Sequence, residues 1–288
     1  MADRAEERFT GRTLGVATMH GKERAIGPAL QSALGLVGFA PITGIDTDRF
    51  GAFSGEVQRT LDPLNACIAK ARHGAEVGGL DLVIASEGSF GPYPPVPFVS
   101  SDEELLALYD ARDDRVFTHR HVSLETMFGG ELIHHPDEAL AFGTRMGFPS
   151  HHLVVRPSKV FSPGDTVHKG VNDRYELVRI TAALIEAHGT CWVESDLRAM
   201  GNPTRMRVIE ETAQRFAEEL QRACPYCGAC WFRVTDSRSG LPCGYCGTPT
   251  ASTRSYVRSC WKCSSEMHVP RPDGKETEEQ QYCPICNP

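Results

Sequence analysis

Nine of the eleven cysteines lie between Cys224 and Cys286. Eight of them form Cys-x-x-Cys knuckles: Cys224/Cys227, Cys243/Cys246, Cys260/Cys263 and Cys283/Cys286. Two thiolates three residues apart can grip one side of a tetrahedral ion, and a second knuckle closes the site. Gly228 and Gly247 follow two of the knuckles, where a tight turn lets backbone amides approach sulfur. Pairing the knuckles in order gives Cys-x2-Cys-x15-Cys-x2-Cys and Cys-x2-Cys-x19-Cys-x2-Cys, both of zinc-ribbon spacing. A nested pairing, with the two middle knuckles on one ion and the outer two on the other, stays open. Cys230 is left over and reads as a buried or edge thiol. The expectation is two structural Zn2+ ions, each closed by thiolate on every side, so that neither offers a position for catalysis.

A second set of polar residues follows short apolar runs. Thr18, His20, Lys22 and Glu23 come after Leu14–Thr18, and Asp46, Asp48, Arg49 and Glu56 after the next segment. Glu87, Gly88 and Ser89 follow Leu80–Ser86, and Asp196, Arg198, Asn202 and Arg205 follow Thr190–Ser195. Taken singly, each group is ordinarily a solvated loop or a helix cap. Taken together, they deliver charge to the strand ends where open α/β sheets bind ligands. Glu56, Glu87 and either Asp46 or Asp48 are hard oxygen ligands suited to Mg2+. Lys22, Arg49, Arg59, Lys70, Arg198 and Arg205 suit phosphate. The histidine pairs (His119 and His121, His134 and His135, His151 and His152) lack the spacing of a catalytic zinc motif. No Walker loop, G-x-S-x-G or G-x-G-x-x-G is present.

The elements that must position these residues alternate between strand and helix. Apolar runs at Leu14–Thr18, Leu80–Ser86, His152–Arg156 and Thr190–Ser195 read as strands. The segments either side of Ala111–Arg115 read as a hairpin. Helices are expected over Pro28–Gly35 with Pro28 first, after the Asp62 cap, from Pro136, and over Tyr175–Ala187. The last begins at Pro203 behind Asn202 and carries Met206, Ile209, Ala213, Phe216, Ala217 and Leu220 on one stripe. Residues 1 to about 11 read as a frayed tail. The fold class is therefore α/β: a mixed-sheet domain over 12–222, then a small zinc-ribbon-like module over 223–288.

Composition narrows the setting. The 288 residues are 41% hydrophobic and 23% charged, with a formal net charge of −7. No apolar run reaches the roughly 18 residues of a membrane span, and the amino-terminal residues lack a signal-peptide core. The cysteine cluster reads as metal-binding in a reducing compartment, so a cytoplasmic location is expected. Residues 224–288 hold seven Lys and Arg against six Asp and Glu. Two zinc ions, each held by four thiolates, would bring that region to about −3. Nucleic acid is thus a poor partner; a stability clip, self-association or a protein partner fits the module better.

The strings ATMHGKE, GIDTDRFGAFSGE, SEGSFGP, ESDLRAMGNPTRM and CPICNP together resemble a bacterial family described as a domain of unknown function. That family joins such an α/β region to carboxy-terminal cysteine knuckles; the resemblance covers about residues 13–288 and implies the architecture but no activity. A narrower likeness is to inosine triphosphatase-type nucleoside triphosphate pyrophosphatases. It rests on Thr18 and Lys22, Phe53-Ser54-Gly55-Glu56, Lys70-Ala71 and Glu87-Gly88. The resemblance implies Mg2+ on the acidic positions and phosphates on the lysines. The chain departs from it in lacking an Asp-Asp-Ser-Gly string, in having His20-Gly21 in place of an Asn, and in offering only Asp196-Leu197-Arg198 for a late Ser-His-Arg.

Two readings result. In one, the α/β domain is a Mg2+-dependent nucleotide phosphohydrolase. Glu56, Glu87, Lys22, Asp46 and Asp48 form its reaction centre, and Thr18, His20, Arg49, Lys70, Ser86, Ser89, Asp196, Arg198, Asn202 and Arg205 bind substrate. In the other, the domain senses a small phosphorylated ligand without turnover, and the zinc module contacts a partner.

Overall fold

The structure, a computed structural model, describes residues 3–45 and 61–288. Asp46, Asp48, Arg49, Glu56 and Arg59 lie outside the described residues. The chain divides into two units, Gly11–Phe216 and a second made of Met1–Thr10 with Ala217–Pro288; the division falls within the last long helix.

The amino-terminal residues form a short helix, α1 (Ala5–Phe9), which belongs to the second unit. The first unit begins with β1 (Thr13–Ala17), α2 (Glu23–Leu34), β2 (Gly38–Pro41), α3 (Pro63–Gly78), β3 (Leu82–Tyr93), β4 (Val96–Asp110) and β5 (Arg115–Ser123). These strands make one mixed sheet in the order β2-β1-β3-β4-β5. β1 pairs in parallel with β2 and β3, whereas β4 and β5 run antiparallel. The crossover α2 therefore leads to one side of β1, and α3 leads back to the other. Asp62 caps α3 by accepting from the Asn65 amide at 3.0 Å, with Pro63 in the first turn, as its sequence predicts. The apolar core around α3 is built from Ala17, Ile42, Cys67, Ala71, Val83, Ala85 and Ala107.

Two expectations about this sheet are corrected. α2 starts at Glu23, so Pro28 lies inside it rather than at its head. The proline marks a lost backbone donor, and its ring is tolerated within the turn without marking the start. β3 does not end at Ser86 but continues to Tyr93, paired with β4 from Leu82↔Asp110 to Tyr93↔Val96. Glu87, Gly88 and Ser89 are thus strand residues, not a loop beyond the strand.

A second sheet, which the sequence reading merged with the first, holds β6 (Gly130–Ile133), β7 (Leu153–Arg156), β8 (His168–Val171) and β9 (Cys191–Ser195) in the order β6-β9-β7-β8. All of its pairings are antiparallel. α4 (Pro136–Arg145) and α5 (Arg174–His188) supply its core through Ala139, Phe142, Leu177 and Ile180. Asp196 and Arg198 consequently follow a strand of this sheet, not of the first. α6 (Pro203–Gln221) begins as expected behind Asn202, whose Oδ1 accepts from the Arg205 amide at 3.0 Å. Ile209, Ala213, Phe216, Ala217 and Leu220 of its stripe are buried, and Met206 is half-buried.

In the second unit β10 (Arg233–Ser239), β11 (Thr253–Ser259) and β12 (Glu266–Pro270) form an antiparallel meander. The expected frayed tail is instead ordered against it. The Cys230 amide donates to the Asp3 carbonyl at 2.6 Å, the Lys262 ammonium pairs with the Asp3 carboxylate, and the Arg8 guanidinium sits 5.8 Å from the Trp261 ring centre. Phe9 is fully buried. Among the described residues no helix is long and apolar enough to cross a membrane.

Candidate functional sites

The eight knuckle cysteines gather into two groups: Cys224, Cys227, Cys260 and Cys263, and Cys243, Cys246, Cys283 and Cys286. This corrects both the sequential and the nested pairings, since the first knuckle joins the third and the second joins the fourth. The cause is the meander. Register pairs Arg233 with Ser259 at one end of the β10–β11 ladder and Ser239 with Thr253 at the other. The knuckle before β10 and the one after β11 therefore meet at one end, and the knuckle between these strands lies at the opposite end, roughly 20 Å of strand away. A sequential site would have to bridge that length.

The sulfur geometry fits zinc. Cross-knuckle Sγ–Sγ separations are 3.7 Å for Cys224–Cys263, 3.5 Å for Cys227–Cys260, 3.9 Å for Cys243–Cys286 and 3.6 Å for Cys246–Cys283. A tetrahedron with Zn–S bonds near 2.3 Å has edges of about 3.75 Å. All four knuckles close with the same turn: the amides of Gly228, Gly247, Ser264 and Asn287 donate to the carbonyls of Cys224, Cys243, Cys260 and Cys283 at 2.9–3.0 Å. Gly228, Gly247 and Ser264 hold φ of 76°, 73° and 57°, the left-handed conformation that the glycines announced. Backbone amides of Lys262 and Cys263 approach Cys260 Sγ, and that of Cys286 approaches Cys283 Sγ, at 3.4–3.5 Å. Cys246 Sγ lies 3.2 Å from the Thr248 hydroxyl, and Cys263 Sγ the same distance from Ser265. These hydroxyls push both thiols down to about 6, favouring the thiolate a metal needs. Cys230 is buried and in neither group.

In the first unit, structure sorts the predicted residues by the alternation of β3. Ser86 and Gly88 leave one face of the strand, Glu87 and Ser89 the other. On the first face Lys22, at the head of α2, donates from Nζ to Ser86 Oγ at 2.9 Å and has no carboxylate partner among the described residues. On the other face the Lys70 ammonium forms a buried ion pair with Glu87. Lys22, Ser86, Lys70 and Glu87 thus flank one strand, with Glu87 leaving the face opposite to Ser86, and Glu87 still acts electrostatically on Lys22. The proposed partner of Glu87, Glu56, lies outside the described residues, as do Asp46, Asp48 and Arg49. Ser89 lines a separate cleft of about 390 Å³ with Phe90, Tyr93, Glu103 and Arg120.

The first face carries two acids that sequence reasoning missed. Asp102 and Glu104 are fully buried on β4. They stand opposite Phe90 and Gly88 of β3. Arg205, 1% exposed, reaches from the first turn of α6, donating from Nε to Glu104 Oε1 at 2.6 Å and from a terminal nitrogen to the Leu197 carbonyl. A Cβ on Gly88 would collide with Arg205 Nη2 and lie 2.6 Å from Glu104 Oε1, so the glycine makes room for this pair. The signal for the acids was available: Asp102 and Glu104 continue the alternation of Leu106 and Leu108, which places them on a buried face. Burial, reinforced by Glu104, pushes the Asp102 carboxyl up to about 8. Burial, reinforced by Arg205, lowers the Lys22 ammonium to about 8. Cys67, on the Glu87 face, points at the Leu105 carbonyl at 3.7 Å, and desolvation raises its thiol far above the usual range.

The remaining predicted residues support the frame. Arg198 pairs with Asp196 through both carboxylate oxygens at 2.6–3.2 Å, and Asn202 caps α6. The Thr18 hydroxyl accepts from the His20 amide at 3.2 Å, shaping the loop before Lys22. Among the described residues the cysteine tetrads are the only groups of three or more Cys, His, Asp or Glu placed to hold a metal together.

A mixed α/β unit with a buried cluster of both charges, followed by a unit of two interleaved cysteine tetrads, defines the class of protein. The chain belongs to the family described as a domain of unknown function (DUF6671), whose profile matches residues 70–288. All eight knuckle cysteines, Glu87, Asp102, Glu104 and Arg205 fall within the matched span; Lys22 precedes it. No curated protein and no solved structure matches the chain, so no relative of the inosine triphosphatase type stands behind the narrower likeness.

Proposed function

We propose that the α/β unit binds a small phosphorylated ligand, of nucleotide or polyphosphate type, where β1 and β3 part, and that the cysteine unit holds two structural Zn2+ ions. The observation that supports the ligand most is Lys22, a buried ammonium whose hydrogen-bond partner among the described residues is a hydroxyl rather than a carboxylate. It stands at the head of α2, where the positive end of the helix dipole and the ammonium favour an anion at the same place, although the Arg24 and Ala25 amides already donate to the Gly21 and Lys22 carbonyls. The strand order around β1 is that of doubly wound sheets, in which ligands bind at the carboxyl ends beside the reversal in order. Arg205 adds a second cation on that face.

Mg2+-dependent hydrolysis of the ligand is the second reading. It is favoured by the buried carboxylates of Asp102 and Glu104, whereas Glu87 already holds Lys70.

The test is calorimetric titration of the zinc-loaded full chain with nucleoside mono-, di- and triphosphates and pyrophosphate, without and then with Mg2+. At least one should bind, and Lys22→Ala should weaken it by about 1.5–3 kcal/mol, the scale of a hydrogen bond to a charged group. Silence across the panel from folded protein would end the ligand reading. Release of phosphate or pyrophosphate with Mg2+ separates an enzyme from a binding protein.

A further inference from the structure

We infer that Asp102 and Glu104 form a site for one hard divalent cation, Mg2+ or Mn2+, on the same sheet face as Lys22. This deepens the phosphorylated-ligand reading and rests on it for what completes the ion's shell.

The two carboxylates are two residues apart on β4, so they rise from one face about 6.6 Å apart along the strand. Both residues have no solvent exposure. Asp102 Oδ1 and Oδ2 and Glu104 Oε2 have no hydrogen-bond partner among the described residues. Buried polar atoms are ordinarily satisfied, and three unsatisfied carboxylate oxygens on neighbouring positions of one face call for a shared proton or a cation. The fourth oxygen, Glu104 Oε1, accepts from Arg205 Nε, which fixes the carboxylate and leaves its other oxygen for the ion. The two carboxylates are hard oxygen ligands of the kind that favours Mg2+ or Mn2+; His121 of β5 stands opposite Glu104 on the neighbouring strand.

Charge ties the ion to the ligand. Lys22 and Arg205 balance Asp102 and Glu104 when all four are ionised. A divalent ion then leaves the buried face with surplus positive charge, which a phosphoryl group bound at Lys22 would neutralise. Glu87 is a poorer candidate for the same ion because it leaves the opposite face and is paired with Lys70.

The test uses no nucleotide. Free Mn2+ is followed by electron paramagnetic resonance as it is added to the zinc-loaded full chain. One Mn2+ per chain is expected, displaced by Mg2+ and weakened at least tenfold by Asp102→Asn. No stoichiometric Mn2+, an unchanged affinity in folded Asp102→Asn, or loss in Glu87→Gln with Asp102→Asn unaffected would overturn the site. Should Asp102→Asn not fold, anomalous diffraction from Mn2+-soaked crystals decides: a peak between the two carboxylates supports the site, and a peak elsewhere or none overturns it. Nucleotide binding without an Mn2+ site overturns this inference and leaves the ligand reading standing. An Mn2+ site without nucleotide binding supports the ion and ends the ligand reading alone.

Discussion

The cysteine tetrads and the charge cluster beneath α6 both crowd ionisable groups into little space, and they do so in opposite ways. Each tetrad is four copies of one ligand, spaced as the edges of a tetrahedron, with every position filled by protein. The cluster mixes signs, so that Lys70 satisfies Glu87 and Arg205 satisfies half of Glu104, while Lys22 meets only Ser86 and Asp102 meets no partner among the described residues. A complete set of identical ligands builds structure. An incomplete set of opposite charges leaves polar atoms unmatched, which is what the proposed ligand and cation would satisfy.

The largest expected effect tests the closed set. Cys243→Ser should lower zinc from two equivalents per chain to one and destabilise the unit by several kcal/mol, because zinc affinity of about 10–16 kcal/mol is folding energy here. Interleaving adds a sharper outcome. Cys243→Ser and Cys283→Ser should be strongly non-additive in thermal melting, since either disables the same ion, whereas Cys243→Ser and Cys260→Ser should strip both ions. Near-additive losses for the first pair would mean that these cysteines serve different ions.

The next contrast lies between the two lysines. Lys70→Met removes the cationic partner of a buried carboxylate and should cost about 3–5 kcal/mol in urea unfolding. Lys22→Met removes an ammonium without a carboxylate partner among the described residues and should cost less than about 1 kcal/mol of stability, while weakening the proposed phosphate binding by about 1.5–3 kcal/mol. Equal losses would erase the distinction between a satisfied and an open cation.

Gly88→Ala should cost about 1–3 kcal/mol by overpacking, because the new methyl meets a guanidinium held on two sides. A neutral outcome would show Arg205 free to move aside.

The smallest effect is a slope. The folded Asp102 carboxyl titrates at about 8 against an ordinary value of 3.8, so between these values the folded chain holds a proton that the unfolded chain has lost. Its contribution to stability is therefore full below about 4 and falls as pH rises towards 8. Measured from pH 5.5 to 8 without added Mg2+ or Mn2+, wild-type stability minus that of Asp102→Asn should decline; a flat difference would mean that the carboxyl is not held neutral.

Legibility in the sequence followed the range of the interactions. The Asp62 and Asn202 caps, the β4–β5 hairpin and the α5 and α6 stripes were readable because they are set within one or two turns of chain. Ligand cysteines were readable from local spacing as well. Their pairing was not, because it depends on which ends of β10 and β11 meet. Asp102 and Glu104 escaped because charged residues were not expected on the buried face of β4, although the alternation with Leu106 and Leu108 carries that face to them. Glu87 was grouped with Lys22 because both were read as lying just beyond strand ends, whereas β3 runs on to Tyr93 and sends Ser86 and Glu87 to opposite faces. The second sheet was invisible as a separate body, since its strands of four or five residues look like those of the first.

Interleaving also sets an order of events during synthesis. Neither ion can be enclosed until residues far downstream exist: Cys263 for the first, Cys286 for the second. The span from Cys224 to Cys263 contains Cys243, and the span from Cys243 to Cys286 contains Cys260, so each closed loop holds part of the other. Closing one shortens the remaining search for the other. If both tetrads take the proposed zinc, loading is then concerted, and chains carrying a single ion should be scarce in a titration.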